Sequence, residues 1–557
     1  MGAQNQLVSV ILVAAASLSF AQGERRISVE AYRDKMKGGW IGQIIGVAWG
    51  APTEFNDRII PEEAVPKWGP EMVNQAFDQD DLYVEMTFLR TLEEHGLDVS
   101  IRQAGIDFAN SEYRLWCANE AGRKNLRRGI APPDSSHPRF NSRANDIDYQ
   151  IEADFAGLIA PGLPNAVIAL GEKFGRMMNY GDGVYGGQFM GGMYAEAFFE
   201  DDVQKVIAAG LACIPAESQY AEMVRDVVRW HREHPEDWQK TWGLCFQKYR
   251  KDPAYQRGSN GAIDVRINGA MVLLGLLYGA GDMEKTVVVS MRGGYDSDCN
   301  PSSAAGVLGT CRGFSRLPAH YTERLALEPR FSYTAYNVPA LLDVCERLAR
   351  QIVARHGGRV EKGADGREWF VVPRVAAAPG AYTPSWQAGA AEGARFTEAE
   401  YAKIRFRPHP ADVGGDDPTA RVQGALDALF PGWKTSPNGK DMAPGYRAEY
   451  LGRQHVVMTH PPDKETGVTL SKRVAVPAGG EPVLAVTVAN HAKGDFVLVA
   501  KVGGTEVLRQ AVGGTPAWRT FTVGLAAFAG KTVEVELVNQ PDGWSWEAAY
   551  WGGIEVR

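Results

Sequence analysis

The sequence predicts a multidomain α + β protein, an all-α domain followed by a C-terminal β-sandwich. Apolar residues recur at helical spacing across residues 29–356, residues 357–432, rich in Pro, Gly and Ala, read as a linker or extended wrap, and short alternating runs fill residues 433–557. A chain of 557 residues has room for both domains. Its 45% hydrophobic content, with 14 Trp, 20 Tyr and 21 Phe, supplies two cores. With 59 basic and 67 acidic residues, a formal charge of −8 and no Lys/Arg block, a nucleic-acid partner is not expected.

The chain begins with "LVSVILVAAASLSFAQG", an apolar run too short to span a bilayer that ends in Ser19-Phe20-Ala21. This small-x-small pattern predicts a signal peptide over residues 1–21, although the leading "MGAQNQ" lacks Lys and Arg. A secreted or periplasmic protein, with no membrane attachment after cleavage, is the expectation. Six scattered cysteines with no C-x-x-C spacing do not read as a zinc ribbon or a thioredoxin site.

The first helix carries Gly42, Gly46 and Gly50 four apart, a stripe that lets another helix approach closely, and it runs out into "GAPTEF" with Glu54 on a loop. "FDQDDLYVEM" then opens a helix whose Leu82, Met86, Leu89 and Leu92 share one face, stopping at Gly96. In "NDIDYQIEADFAGLIAPG", Glu152 and Asp154 open a helix. They are either a water-activating base and its partner or ordinary helix-start acids.

"GDGVYGGQFMGGMYAEAF" reads as a flexible Gly-rich loop before a tightly packed helix, so Gly186 and Gly187 are candidates for a substrate lip. The stretch lacks the Gly-Lys-Ser/Thr of a P-loop. His231 and His234 lack a zinc-protease frame, and there is no Gly-x-Ser-x-Gly elbow.

"NGAMVLLGLLYGAGDMEKTVVVSM" and "PALLDVCERLARQIVARHGG" are further apolar helices, and between them lies "GGYDSDCNPSSAAGVLG". Here Asn300, Pro301, Ser302 and Ser303 signal a helix start, so Asp296 and Asp298 sit at its positive end, as Asp80 and Asp81 sit at theirs. Two carboxylates so close repel unless a cation or donors intervene. Three acidic loops at helix ends can converge on hard cations such as Mg²⁺.

In order, "GGWIGQIIGVAWGAPTEF", "QDD" and "GGYDSDCNPSSAAGVLG" resemble the ADP-ribosylglycohydrolase family over roughly residues 29–350. The resemblance implies an orthogonal all-α fold with two Mg²⁺ ions, Mn²⁺ or Ca²⁺ being alternatives. It assigns Glu54, Asp80, Asp81, Asp296 and Asp298 as metal-shell or catalytic acids, the four aspartates being expected to hold the metals and Glu54 to act in catalysis, whereas Glu152 and Asp154 are candidate catalytic acids from their own stretch alone. Gln79 and Cys299 stand where the family has threonines, and Tyr295 is an extra residue after the glycine pair. Gln79 can still offer a carbonyl oxygen, and Asn300 can stand in for the lost hydroxyl. Tyr295 is either a wall for a sugar or base ring or a core residue.

After residue 433 the runs "GVTLSKRVAV", "PVLAVTVAN", "DFVLVAKVGG", "TEVLRQAV", "WRTFTV", "KTVEVELVN" and "YWGGIEV" predict strands. With Trp518, Trp544, Trp546 and Trp551, this module is similar to the galactose-binding sandwiches attached to secreted glycosidases. The expected function is a secreted metal-dependent hydrolase of ribosyl-type N- or O-glycosidic bonds on a small-molecule or glycan substrate. A furanoside glycosidase of the same fold is the alternative, and an inactive glycan-binding protein a third reading.

Overall fold

The structure, a computed structural model, describes residues 23–406, 417–544 and 546–557, so the expected leader lies outside the described residues. The chain divides into two compact units, residues 1–406 and 407–557.

The helical unit is built around the first helix, Val29–Gly50, whose start is capped by Ser28 Oγ accepting from the Ala31 amide. This helix is buried on nearly every side from Gly38 to Gly50. Its glycine stripe faces the helix Cys299–Arg312, and an added Cβ would lie 2.2 Å from the Ala305 carbonyl at Gly42 and 2.2 Å from the Pro301 carbonyl at Gly46. The helices Val265–Tyr278 and Asp182–Ala197 are buried almost all round and complete the centre. A helix without a polar face is the expected occupant of such a position.

Strand β1 (Glu24–Ser28) precedes the first helix, and β2 (Arg359–Lys362) and β3 (Glu368–Pro373) follow the helix Val338–Arg355. They form an antiparallel sheet in the order β1-β3-β2. The unit is therefore the expected helical domain, with one small sheet added by the segments that flank residues 29–356. The cause lies in "EWFVVP", where Phe370 and Val372 are fully buried and Phe370 meets the Tyr32 ring edge-on at 5.0 Å.

Of the linker and wrap readings open for residues 357–432, the structure describes a wrap over the helical unit as far as residue 406. Ser385 Oγ accepts from the Asp182 amide at 2.8 Å, and Asp134 accepts from the amides of Glu392 and Ala394 at 2.9 and 2.8 Å. Beyond it, Pro418–Leu429 is a helix of the second unit, capped by Asp417 with Pro418 in its first turn.

The second unit is a sandwich of antiparallel strands: β4 (Lys434–Thr435), β5 (Gly445–Tyr450), β6 (Arg453–Thr459), β7 (Val468–Ala475), β8 (Val483–Asn490), β9 (Phe496–Val502), β10 (Thr505–Val512), β11 (Arg519–Gly524), β12 (Thr532–Gln540) and β13 (Ala549–Val556). One sheet has the order β10-β9-β12-β7-β4 and the other β11-β8-β13-β6-β5. Val486, Val488 and Trp551 of one sheet and Leu498, Ala500 and Leu537 of the other share one core. Trp551 is core, whereas Trp544 and Trp546 are exposed. Among the described residues no helix is long and apolar enough to cross a membrane.

Candidate metal centre

Three chain segments meet at one end of the first helix. The helix passes into a short 3-10 turn, Ala51–Thr53, that delivers half-buried Glu54. Thr53 Oγ1 donates to the Gly50 carbonyl at 2.7 Å and lies 2.9 Å from Ser297 Oγ, a hydrogen bond that ties this turn to the second acidic loop.

That loop is turned by Gly294 and Tyr295, both left-handed, at φ 74° and 64°. At Gly294 a side chain has no room, since its Cβ would fall 2.3 Å from the Arg58 carbonyl. The Tyr295 amide donates to the Asn56 carbonyl, which pins the Glu54 loop against this turn. Asn268 Oδ1 accepts from the Asp296 amide at 3.1 Å and from Asn300 Nδ2 at 2.9 Å. Asp298 caps the helix Cys299–Arg312, its Oδ1 accepting from the Cys299 amide at 2.8 Å. Asp80 and Asp81 open the helix Asp80–His95.

The result is two triads that share one residue. Ligand atoms of Glu54, Asp296 and Asp298 all lie within 4.8 Å of one another, as do those of Asp81, Asp298 and Cys299. Cys299 Sγ donates to Asp81 Oδ2 at 3.3 Å. Asp81 Oδ1, Asp296 Oδ1 and Asn300 Oδ1 are buried with no hydrogen-bond partner. Buried oxygens in that state are costly, and a divalent cation would satisfy them, so these residues fit one. Two other acidic groups, Glu94–His95–Asp107 and Asp495–Asp542–Glu547, contain no such oxygen.

The electrostatics point the same way. Burial, then Asp298 and Asp80, push Glu54 up to about 8, and burial and Asp298 push Asp80 up to about 6. Asp81 and Asp296 are raised well above the carboxylate range by burial and then by Asp298. The charges acting most on all four are other carboxylates.

A consequence for stability follows from the sign of these shifts. Without metal the folded chain holds protons on these groups that the unfolded chain has already released, so their contribution to stability is greatest below the ordinary carboxylate range and is lost as pH rises through about 6 and about 8. In EDTA, the melting temperature is expected to fall between about pH 5 and about pH 8, and saturating divalent cation to restore it at the upper end. A flat profile that cation does not alter would contradict the cluster.

Behind the triads lies a fully buried inner row. Glu85 accepts from the Phe155 amide at 2.8 Å, Asp154 from the Tyr194 hydroxyl at 2.8 Å, and Glu152 from the Asn119 amide group. Each keeps one buried oxygen without a partner. Burial is the main cause that raises all three, and Asp154 in turn acts on Asp81. Glu152 and Asp154 thus stand next to the centre but outside both triads, and only Glu54 of the three expected catalytic acids reaches solvent.

Gln79 is the residue before the Asp80 helix, its side chain makes no capping bond, and it belongs to neither triad. Two expectations need correction. Gly186 and Gly187 are not on a loop but inside the helix Asp182–Ala197, where a Cβ would fall 2.5 Å from Val265 Cγ2 and 2.3 Å from Tyr149 Cδ1 respectively. They are there for helix packing. Tyr295 is 1% exposed, stacked at 6.4 Å on Trp242, so its ring is core and not the wall of an open site.

Other residues carried no readable signal. Asn268 lies on a distant helix, and Phe55 is 82% exposed at φ 65° directly after Glu54. Tyr83, three residues after Asp80, meets Tyr113 at 5.0 Å and Tyr333 at 5.3 Å beside a cavity of about 270 Å³ that Arg90 also lines. Glu85 was findable, since it lies one helical turn after Asp81.

A family model described as ADP-ribosylglycohydrolase matches residues 28–359. A solved structure titled "ADP-ribosylglycohydrolase-related protein complex" is similar at 14% identity, with 58% of this chain and 100% of that chain covered and a TM-score of 0.39. No curated protein matches the chain.

Proposed function

Because this chain belongs to the ADP-ribosylglycohydrolase family, we propose that its helical unit is a divalent-cation-dependent hydrolase of ribosyl-type N- or O-glycosidic bonds. The observation that carries the reading is the pair of triads sharing Asp298, with buried carboxylate oxygens that have no partner. Asp80, Asp81, Asp296 and Asp298 would hold the cation, with Asn300 Oδ1 free to join them. When bound, the cation supplies a fixed positive charge that orients vicinal hydroxyls and makes water more acidic.

The chain's own residues do the rest. Glu54 is half-buried at the solvent side of the centre and protonated near neutral pH without metal. With positive charge beside it, Glu54 gives up that proton and becomes a base for the attacking water. The fully buried Glu152 and Asp154 tie the segment behind the triads to Asn119 and Tyr194. Tyr333, 60% exposed and packed on the buried Tyr83 and Tyr113, offers a ring to a leaving group beside the Asp80 helix.

A furanoside glycan is the second reading. It is favoured by Trp544 and Trp546 of the sandwich, 45% and 43% exposed, which suit a carbohydrate-binding, galactose-binding-like module. Secretion is part of the proposal, and the N-terminal residue of the mature protein decides it.

The test is release of product from ADP-ribosyl substrates and from a furanoside panel, with Mg²⁺, Mn²⁺ or EDTA. Turnover should require a cation and fall by about 10²–10⁴-fold in Glu54→Gln. Turnover unaffected by EDTA, or retained in Glu54→Gln, would overturn the mechanism.

A further inference from the structure

The two triads differ in one atom type. Glu54, Asp296 and Asp298 offer only carboxylate oxygens, whereas the other triad has Asp81, Asp298 and the Cys299 sulfur. We propose that Cys299 is itself a cation ligand, so that its triad takes a thiophilic divalent cation of the Co²⁺ or Zn²⁺ class while the side toward Asp296 remains a hard, all-oxygen site beside Glu54. This rests on the reading of the acidic cluster as a divalent-cation centre and assigns the kind of ion that one half of it selects.

Geometry supplies the first reason. Cys299 is the first residue of its helix, directly after the shared Asp298, and its Sγ already reaches Asp81 Oδ2 at 3.3 Å. The thiol hydrogen-bonds one acid of the triad and lies within 4.8 Å of a ligand oxygen of the other, where a cation would sit. Asp81, 1% exposed, keeps its other oxygen without a partner, so the triad contains a buried donor atom with nothing to bind. The other five cysteines belong to no such triad among the described residues.

Donor chemistry supplies the second. Thiolate sulfur prefers Zn²⁺ and the later first-row ions, whereas carboxylate and carbonyl oxygens suit Mg²⁺, Ca²⁺ and Mn²⁺. Coordination breaks the S–H bond, the proton passes to buffer, and sulfur donates its electron pair to the ion with no change of oxidation state. The hydrogen bond to Asp81 is given up in the same event. Two cations of different softness, joined by the Asp298 carboxylate, are the outcome.

Cobalt titration of the full chain, stripped of metal, tests this. Wild type should develop an intense near-ultraviolet thiolate-to-cobalt band together with visible cobalt absorption. Cys299→Ser should keep the visible absorption, lose the ultraviolet band and lose about tenfold or more of its preference for Co²⁺ over Mg²⁺. X-ray absorption of wild type carrying Zn²⁺ should show sulfur at about 2.3 Å, which decides the question even if the variant fails to fold. Visible bands without the ultraviolet band in wild type, the ultraviolet band persisting in Cys299→Ser, or only oxygen or nitrogen around zinc would each overturn the proposal. No cobalt uptake at all would overturn both this inference and the proposed function. A sulfur-ligated ion in a protein without glycosidic turnover would leave the inference standing and remove only the function.

Discussion

Asp298→Asn is expected to remove cation binding and lower turnover by about 10³-fold, while the metal-free variant melts higher than wild type at pH 8. Asp298 is the one residue common to both triads, so its loss damages both at once. It is also the neighbouring charge that most raises Glu54, Asp80, Asp81 and Asp296. Removing it relieves repulsion among buried carboxylates, which stabilises the chain when no cation is present. Asparagine caps a helix about as well as aspartate, so the bond to the Cys299 amide is retained. Calorimetric titration and melting curves with and without cation measure both halves. Unchanged affinity, or a metal-free variant less stable than wild type at pH 8, would mean that Asp298 is only a helix cap.

Gly46→Ala is expected to destabilise the helical unit by about 3 kcal/mol and to abolish activity, although the substitution touches no acid. On an isolated helix the change would help by about 1 kcal/mol. Here the new Cβ would lie 2.2 Å from the Pro301 carbonyl oxygen and 2.4 Å from the Ser302 amide nitrogen, all backbone that cannot rotate away. The two helices must separate, and the one that moves begins at Cys299 with Asp298 as its cap. Gly243→Ala is the control, because its Cβ meets nothing within 4 Å and it too lies inside a helix. Denaturation should show the control equal to or more stable than wild type. Equal stability of both variants would mean that the glycine stripe has slack.

The helix Asp80–His95 and the strands from Val468 onward were legible because their determinants are local. Periodicity, a C-terminal glycine and turn residues act over a few positions. The helix Pro418–Leu429 was missed, although Asp417, Pro418 and the apolar Val422, Ala425 and Leu426 mark it, because its Pro/Gly-rich neighbourhood reads as linker. The short sheet was hidden for another reason. β3 pairs with β1, and that partner lies more than 300 residues away.

By itself the sequence determined that pairs of acids stand at two helix starts, Asp80–Asp81 and Asp296–Asp298, because that is a local feature of the chain. It also determined the glycine stripe that lets two helices meet at backbone distance. Only the tertiary structure decided that Asp298 is shared, that Cys299 faces Asp81, that Glu152 and Asp154 stand behind the centre and that Tyr295 is core. The physical reason is that burial and mutual distance set the charge, reach and ligand character of a side chain. Both depend on which distant segments pack beside it, and no short stretch of sequence encodes that.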